Sequence, residues 1–332
     1  MRILVTGGAG FIGSNFVRHM LAAYPGYEIV NFDLLTYAAT SATLNDIDEN
    51  PRHAFVEGDI ADPKAVDAAM ADCDAVVNFA AESHVDRSIL DSAAFVRTNV
   101  LGIQTLLDAA RRHSIERFLH ISTDETYGSI ADGSFREGDP LEPNSPYAAS
   151  KAAADLIVRS YFVTHGLPVV VTRSSNNYGP FQFPEKVLPL FITNLIEGEQ
   201  VPLYGDGRNV RDWTFVEDNC AALDIVLHRG STGEIYNVGA GNEVPNIEMT
   251  MRLLEIFGAG DEMIRRVEDR PGHDLRYSIA TDKVRSLGWE PQVSLEDGIR
   301  RTVDWYRERE DWWRPLRSRA AESALPTTSA GE

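Results

Sequence analysis

The sequence predicts an α/β protein, a doubly wound parallel sheet followed by a smaller, mixed α/β C-terminal domain. Three observations carry this. Short runs rich in Val and Ile alternate with helix-period segments through the first half, the rhythm of parallel βαβ units. A glycine cluster lies where the first such run meets the first helical pattern. The 332 residues exceed one domain of about 150 and give room for two.

Taken in order, the strand candidates are 2–6, 28–33, 53–57, 74–79, 117–122 and 168–172, with helical patterns at 12–23, 63–70, 92–113 and 146–165 between them. Beyond Arg173 the rhythm changes: Gly and Pro punctuate shorter elements, and helices are expected at 217–227, 247–257 and 295–307. The expected division is 1–173, with segments near 208–230 packing back on it, then 174–315, then a tail over 316–332. Residues 318–332 combine Ala, Ser, Thr and Pro without an apolar period, so a frayed end is expected there.

Composition excludes several classes. Lys and Arg number 31 against 50 Asp and Glu, a net charge of −19, which repels a polyphosphate backbone and argues against nucleic acid as partner. Two cysteines, Cys73 and Cys220, stand in neither a zinc nor a disulfide spacing, which argues for a reducing compartment and no metal. No stretch approaches the length of a membrane span. The reading is of a cytoplasmic protein without membrane contact.

The glycine cluster reads Thr6-Gly7-Gly8-Ala9-Gly10-Phe11-Ile12-Gly13. Gly7, Gly10 and Gly13 between a strand and a helix allow a tight turn and close backbone approach, and the helix start offers free N–H groups to a pyrophosphate. Asp33 ends the second strand 20 residues past Gly13, where a carboxylate accepts bonds from ribose hydroxyls and repels a 2′-phosphate. Leu34 beside it adds no positive charge. Together these describe a Rossmann-type site for NAD rather than NADP, the rival account being a plain strand-turn-helix with a solvated aspartate.

Chemistry is expected at the end of the fifth strand, which delivers Ser122, Thr123, Asp124 and Glu125 to the sheet edge where open α/β folds hold ligands. Downstream, Tyr147-Ala148-Ala149-Ser150-Lys151 places Tyr147 and Lys151 on one helix face. The Lys151 ammonium is expected to lower the pKa of the Tyr147 phenol from about 10. Asp124 and Glu125 also fit the acidic first turn of a helix.

With these residues in place the chain resembles the extended short-chain dehydrogenase/reductase family, and within it the nucleotide-sugar dehydratases of the dTDP-glucose 4,6-dehydratase type. The resemblance runs from Met1 to about Arg314 through TGGAGFIG, AAESHVDRS, STDETYG, YAASK, SNNYGPFQFPEK, RDW and DRPGHD. Sugar epimerases of the superfamily usually carry small residues in place of Asp124 and Glu125. The resemblance implies NAD contacts at Gly7, Gly10, Phe11, Ile12, Gly13, Asp33, Leu34, Leu35, Thr36, Asp59, Ile60, Ala80, Ala81, Glu82, Ser83, Thr98, Tyr147, Lys151 and Asn177. For dTDP-glucose it implies His84, Thr123, Asn176, Glu185, Lys186, Val187, Pro202, Leu203, Tyr204, Arg211, Asn246, Asp269, Arg270, Pro271, Gly272 and His273. It implies a homodimer as well, joined through helices near 92–113 and 149–165.

The implied catalytic residues are Thr123, Asp124, Glu125, Tyr147 and Lys151. Oxidation of carbon 4 would acidify the hydrogen on carbon 5. Glu125 would then remove it while protonated Asp124 feeds the departing 6-hydroxyl, since neighbouring buried carboxylates push their pKa values apart. Hydride returning to carbon 6 leaves no net redox change. Two departures from the family stand out. Residues 33–40 read DLLTYAAT where DKLTYAGN is common, and Thr126 replaces a Val, which buries a hydroxyl that needs a partner. A short connection at 113–116 resembles members from antibiotic-sugar pathways. A 4-epimerase, another NDP-hexose dehydratase, or an NAD-binding sensor without chemistry remain the alternatives.

Overall fold

Seven parallel strands make the central sheet of the computed structural model, which describes residues 1–324. They are β1 (Arg2–Thr6), β2 (Glu28–Asp33), β3 (His53–Glu57), β4 (Ala75–Asn78), β5 (Arg117–Thr123), β6 (Val169–Ser174) and, from far along the chain, β10 (Ile235–Val238), in the order β10-β6-β5-β4-β1-β2-β3. Near-continuous apolar strands such as Ile3, Leu4 and Val5 or Val169, Val170 and Val171 are what a sheet covered on both faces requires. The direction of winding reverses between β1 and β4, which opens a crevice at the strand ends.

On one face lie α1 (Phe11–Ala23) and α8 (Val216–Arg229), whose Phe16, Val17, Leu223 and Val226 join Ile3, Val5 and Val170 in one core. On the other lie α2 (Pro63–Met70), α5 (Ile103–Arg112) and α6 (Pro146–His165), packed through Val66, Leu106 and Val158 onto Leu4, Val76 and Phe118. Helix α6 starts at Pro146 after the Ser145 cap, whose hydroxyl accepts the Ala148 N–H, and stops at Gly166 in the left-handed region.

The second lobe holds a three-stranded sheet, β11-β9-β7, and a two-stranded one, β12-β8. Its strands are β7 (Asn176–Tyr178), β8 (Val201–Tyr204), β9 (Val210–Phe215), β11 (Glu243–Pro245) and β12 (Ile264–Val267). Around them pack α7 (Val187–Ile196), α9 (Asn246–Phe257) and α11 (Leu295–Glu308), with Phe191, Leu253, Ile299 and Trp313 in a third core. The short α10 (Asp282–Arg285) carries Val284 into the first core instead, as does Trp289 after it.

Three elements differ from the sequence reading. The single helix expected at 92–113 is broken into α4 (Ala93–Phe95), a π-helical stretch (Val96–Gly102) and α5, and a further helix, α3 (Val85–Leu90), precedes it. The stretch lies tight on its neighbours: a Cβ on Gly102 would come 2.6 Å from the Ile60 side chain. The return to the first lobe, expected near 208–230, includes β10 and Trp289 as well as α8, so it runs further along the chain. The frayed end expected from Ser318 is helical as far as Ala324, because α12 (Glu310–Ala324) is anchored by buried Trp313 and Leu316 and by ion pairs of Arg314 and Arg317 with Glu197. Residues 325–332 lie outside the described part.

A polar clasp ties α1 to α8. Asp224 accepts the Tyr24 hydroxyl at 2.8 Å and pairs with His19 and His228, each at 2.8 Å. These bonds hold the Asp224 carboxyl well below its usual range against the opposing effect of burial, and Asp224 raises His228. The Asp224 contribution to stability is present above a free carboxyl value of about 3.9 and lost as pH falls through its lowered value. The His228 contribution is present below about 6.5 and lost as pH rises through its raised value. Asp224→Asn is expected to lower urea-unfolding stability by about 2 kcal/mol near pH 6. The deficit should shrink toward pH 9; a deficit independent of pH in that range would mean that His228 carries no charge in the clasp.

Candidate active site

Strand β1 ends at Thr6 and the chain turns at once on Gly7, whose φ of +70° only glycine adopts freely. A Cβ there would sit 2.5 Å from the Ala80 nitrogen, and one on Gly13 would sit 2.3 Å from the Gly7 carbonyl, so no other residue fits either place. Asp33 locks the turn from the next strand. One carboxylate oxygen accepts the Ala9 N–H at 2.9 Å and the other the Leu35 N–H at 2.8 Å. Burial raises the Asp33 pKa and these backbone donors pull it back.

The crevice beyond is lined by Gly7, Gly10, Phe11, Ile12, Gly13, Asp33, Leu34, Thr36, Asp59, Ile60, Ala80, Ala81, Glu82, Ser83, Thr98, Tyr147 and Lys151, all expected from the sequence, and it continues to Glu185 and Lys186. Two expected residues lie outside this lining. Leu35, held at φ +50° by its bond to Asp33, packs its side chain on the core beneath, and Asn177 turns its amide back to the Ser175 carbonyl at 2.9 Å. Phe32, Ala38, Ala39, Gly58, Phe79, Ile121, Ser122, Gln182 and Phe183 complete the wall. The Ser122 hydroxyl and the side-chain amide oxygen of Gln182 are buried without a protein partner. A glycine cradle, an acid at the end of β2 and polar atoms left to be satisfied fit a dinucleotide.

Tyr147 and Lys151 lie one turn apart on α6, yet their electrostatics differ from expectation. The Lys151 ammonium donates to the Ile121 carbonyl at 2.7 Å, and burial lowers its pKa to about 8. The Tyr147 pKa is raised, by burial first and then by the charges of Glu125 and Asp124, while Thr123 opposes with a hydrogen bond. The lowering expected from Lys151 fails because the tyrosine is dehydrated beside two carboxyls. Asn99, which sequence reading missed inside an apolar helix pattern, braces this helix. Its amide exchanges bonds with the Glu82 backbone at 2.9 and 3.0 Å and donates to Ser150 at 2.8 Å.

Asp124 and Glu125 open a short helical turn after β5, where Thr123 accepts the Glu125 N–H. Both carboxyl pKa values are raised by burial, but their neighbours differ. Asp124, 2% exposed, faces Glu125 and Asp212, which raise it further, against Arg211. Around Glu125 stand Arg270, Arg211 and Lys186, which favour its charged form. Both carboxyls are thus shifted toward their neutral forms, Asp124 with two acids adding to the shift and Glu125 with three cations opposing it, which sets the two apart. The Thr126 hydroxyl finds its partner in the Thr123 carbonyl at 2.8 Å.

Of the remaining expected residues, Glu185 and Lys186 line the crevice, Arg211 and Arg270 act on Glu125 from the second lobe, and His84 caps α3. Lys186, just before Val187 and α7, donates to the Ser83 carbonyl at 2.8 Å. Asp86 receives the Tyr204 hydroxyl at 3.2 Å and pairs with Arg270 at 3.4 Å, while His84 faces Glu185 at 3.7 Å. His273 pairs with Asp269 at 2.6 Å and stands edge-on to Tyr204, within a loop that includes Pro271 and Gly272. Pro202 and Tyr204 alternate with buried Leu203 along β8, and the side-chain oxygens of Asn176 and Asn246 lack protein partners. Arg211 lies over the Tyr277 ring at 4.1 Å and donates to the Asp274 carbonyl at 2.9 Å. Asp274 and Tyr277, absent from the expected site, fix its direction; only the DRPGHD motif pointed to Asp274. Among the described residues no cluster of His, Cys, Asp and Glu could hold a metal ion.

Comparison with known proteins agrees with this geometry. Residues 4–302 match the family described as GDP-mannose 4,6 dehydratase. The low-salt glycan biosynthesis protein Agl12 of Haloferax volcanii is 56% identical over 306 residues, covering 92% of this chain and 98% of its own. A dTDP-glucose 4,6-dehydratase of Streptomyces antibioticus is 52% identical over 337 residues and 100% of both chains. The crystal structure of the dTDP-glucose 4,6-dehydratase from Streptomyces venezuelae with NAD and dTDP bound superposes with a TM-score of 0.94 at 55% identity, covering 95% of this chain and 100% of that one. On the match of residues 4–302 and on relatives of more than 50% identity over nearly the whole length of both chains, the chain belongs to the GDP-mannose 4,6-dehydratase family of nucleotide-sugar dehydratases.

Proposed function

We propose that this protein is an NAD-dependent dTDP-glucose 4,6-dehydratase, a hydro-lyase that forms dTDP-4-keto-6-deoxyglucose for deoxysugar biosynthesis. The observation that carries this reading is the Asp124–Glu125 pair beside Tyr147, with Asp124 buried and facing two acids against Arg211, and Glu125 half-buried and facing Arg270, Arg211 and Lys186. An epimerase, which moves no water, has no task for an acid and a base there, and a sensor module has no need of either. The names of the relatives favour dTDP over the GDP of the family description.

NAD bound in the glycine cradle supplies the hydride acceptor for carbon 4 and the donor for carbon 6. Asp33 and Thr36 would hold the adenosine ribose, and Asp59 and Ile60 would border the adenine. Tyr147 takes the proton of the 4-hydroxyl, with Thr123 bonding to the same oxygen. Its ionisation is opposed by two carboxyls, so a protonated Asp124 removes one of the two repulsions. Glu125 takes the proton from carbon 5 once the neighbouring carbonyl has made it acidic. Asp124 gives its proton to the 6-hydroxyl as water leaves. Arg211, Arg270 and Lys186 hold the diphosphate and keep Glu125 charged, overcoming locally the repulsion of an acidic chain for an acidic substrate.

Two further proposals accompany this one. The enzyme is cytoplasmic: Cys73 and Cys220 are free and buried, and no described helix is long and apolar enough to cross a membrane. It acts as a homodimer, a second copy covering the apolar side chains that α3, the π-helical stretch and α6 leave exposed, among them Leu90, Val96, Leu101, Leu156 and Val163. Leu156→Asp with Val163→Asp is expected to halve the mass measured by light scattering; an unchanged mass would place the dimer contact elsewhere or remove it.

Mass spectrometry of the sugars formed from dTDP-, UDP-, GDP- and CDP-glucose tests the activity. Loss of one water from dTDP-glucose, without net release of reduced cofactor, is expected. A sugar that keeps its water but inverts at carbon 4 would establish an epimerase instead. Glu125→Gln is expected to lower kcat by about 10²- to 10⁴-fold. Asp124→Asn should stall after oxidation, seen as absorbance of reduced nicotinamide that persists on the enzyme; a variant that turns over normally would leave the acid pair without its role.

A further inference from the structure

The Arg211 guanidinium donates to two backbone carbonyls, that of Val210 at 2.7 Å and that of Asp274 at 2.9 Å. The second bond aims it, because residue 274 belongs to another segment. The same Asp274 carbonyl takes the Asn209 side-chain amide at 3.2 Å. Residues 274–278 form a seam between the two lobes. On one side the Val210 N–H donates to the Leu275 carbonyl at 2.7 Å and the Tyr277 N–H to the Val210 carbonyl at 3.3 Å, which joins the seam to β9. On the other the Ile130 N–H donates to the Arg276 carbonyl at 3.1 Å and the Phe135 N–H to the Ser278 carbonyl at 2.9 Å. Ile130 and Phe135 lie on the connection from β5 to α6.

Asp274 opens this seam, and its carboxylate, 8% exposed, takes a donor on each oxygen. Asn144 donates its side-chain amide to Oδ1 at 2.6 Å, and Tyr277 its hydroxyl to Oδ2 at 2.7 Å. A carboxylate only accepts, so it orients both donors. Tyr277 is thereby held with its ring against Arg211 at 4.1 Å. Asn144 is held beside Ser145, the cap of α6, three residues before Tyr147. The fit around it is close: a Cβ on Gly272 would come 3.1 Å from the Asn144 carbonyl. Asn144 and Asp274 both stand outside the lining of the crevice. One side chain therefore joins the catalytic helix of the first lobe to the arginine of the second.

We propose that Asp274 is a positioning residue that sets Arg211 and the start of the Tyr147 helix in one arrangement, so that a substrate's diphosphate is gripped in register with the Tyr147 phenol. The inference rests on the proposed function for what Arg211 holds, the diphosphate of a nucleotide sugar. A bond that only tightened the fold would weaken every ligand alike, whereas one that aims Arg211 weakens the ligands that carry a diphosphate. It also makes diphosphate binding depend on Asn144, a residue of the other lobe. Asp274 acts on the charge of Glu125 as well, so turnover mixes two effects and binding is the cleaner readout.

The experiment is calorimetry of the NAD-loaded enzyme with dTDP and thymidine, and with GDP and guanosine in parallel. It compares wild type, Asn144→Ala, Asp274→Asn, and the exchanged pair Asn144→Asp with Asp274→Asn. Each single substitution is expected to weaken the nucleoside diphosphate about tenfold and to leave the nucleoside unchanged. In the exchanged pair the new amide donates to the new carboxylate and still accepts the Tyr277 hydroxyl, so affinity for the diphosphate is expected to return. A nucleoside weakened as much as its diphosphate, an Asn144→Ala enzyme that binds like wild type, or an exchanged pair no better than Asp274→Asn overturns the proposal. So does a wild type that binds no diphosphate better than its nucleoside. Should Asp274→Asn fail to fold, Asn144→Ala decides, since it leaves the carboxylate and its Tyr277 bond in place. A preference for GDP over dTDP would revise the substrate and leave the comparison intact, because both pairs differ by the same diphosphate.

Discussion

Because all seven strands of the sheet run the same way, each delivers its C-terminal end to one edge, and the chemistry of this protein is assembled there. Thr6 and the glycine turn, Asp33, Asn78, Thr123 and Ser174 all stand at those ends. The reversal of winding between β1 and β4 leaves the crevice unblocked, and the second lobe has only to bring Lys186, Arg211 and Arg270 over its mouth. Were one central strand reversed, its contribution would face the opposite edge and the constellation would be lost.

Burial governs the charges at that edge. Asp33, Asp124, Glu125 and Tyr147 all shift toward their neutral forms because water is excluded, and Lys151 does so too. What separates their roles is the second influence on each: backbone donors on Asp33, carboxylates on Asp124, cations on Glu125. The acid pair is chemically symmetric in sequence and becomes asymmetric only through what the second lobe places around it.

The local part of this was legible in the sequence. The glycine turn, Asp33, the end of β5 and the Tyr147 helix lie on contiguous segments whose spacing states their geometry, and the strand and helix ends fell within a residue or two. What depends on distant contacts was not. The π-helical stretch is set by packing on Ile60, and Asn99 inside it looks like any polar residue in a helix. The rise of the Tyr147 pKa needs the burial that only the folded chain provides. Strand β10 is four residues long, too short for its alternation to announce it, and α12 has Pro315 and abundant charge where a helix signal would be sought.

The last strand to join the sheet and the last helix both come from far along the chain. β10 closes the edge at β6 after some sixty intervening residues, and Trp312 of α12 donates its ring N–H to Thr43, just past the loop that rims the cradle. During synthesis the nascent first lobe therefore leaves the ribosome with an uncovered sheet edge and an unsupported loop. Contacts of such sequence separation close slowly. The β6 edge and the loop beside the cradle thus gain their final contacts only from residues far along the chain, and an uncovered β6 edge is a strand edge open to pairing until β10 takes its place.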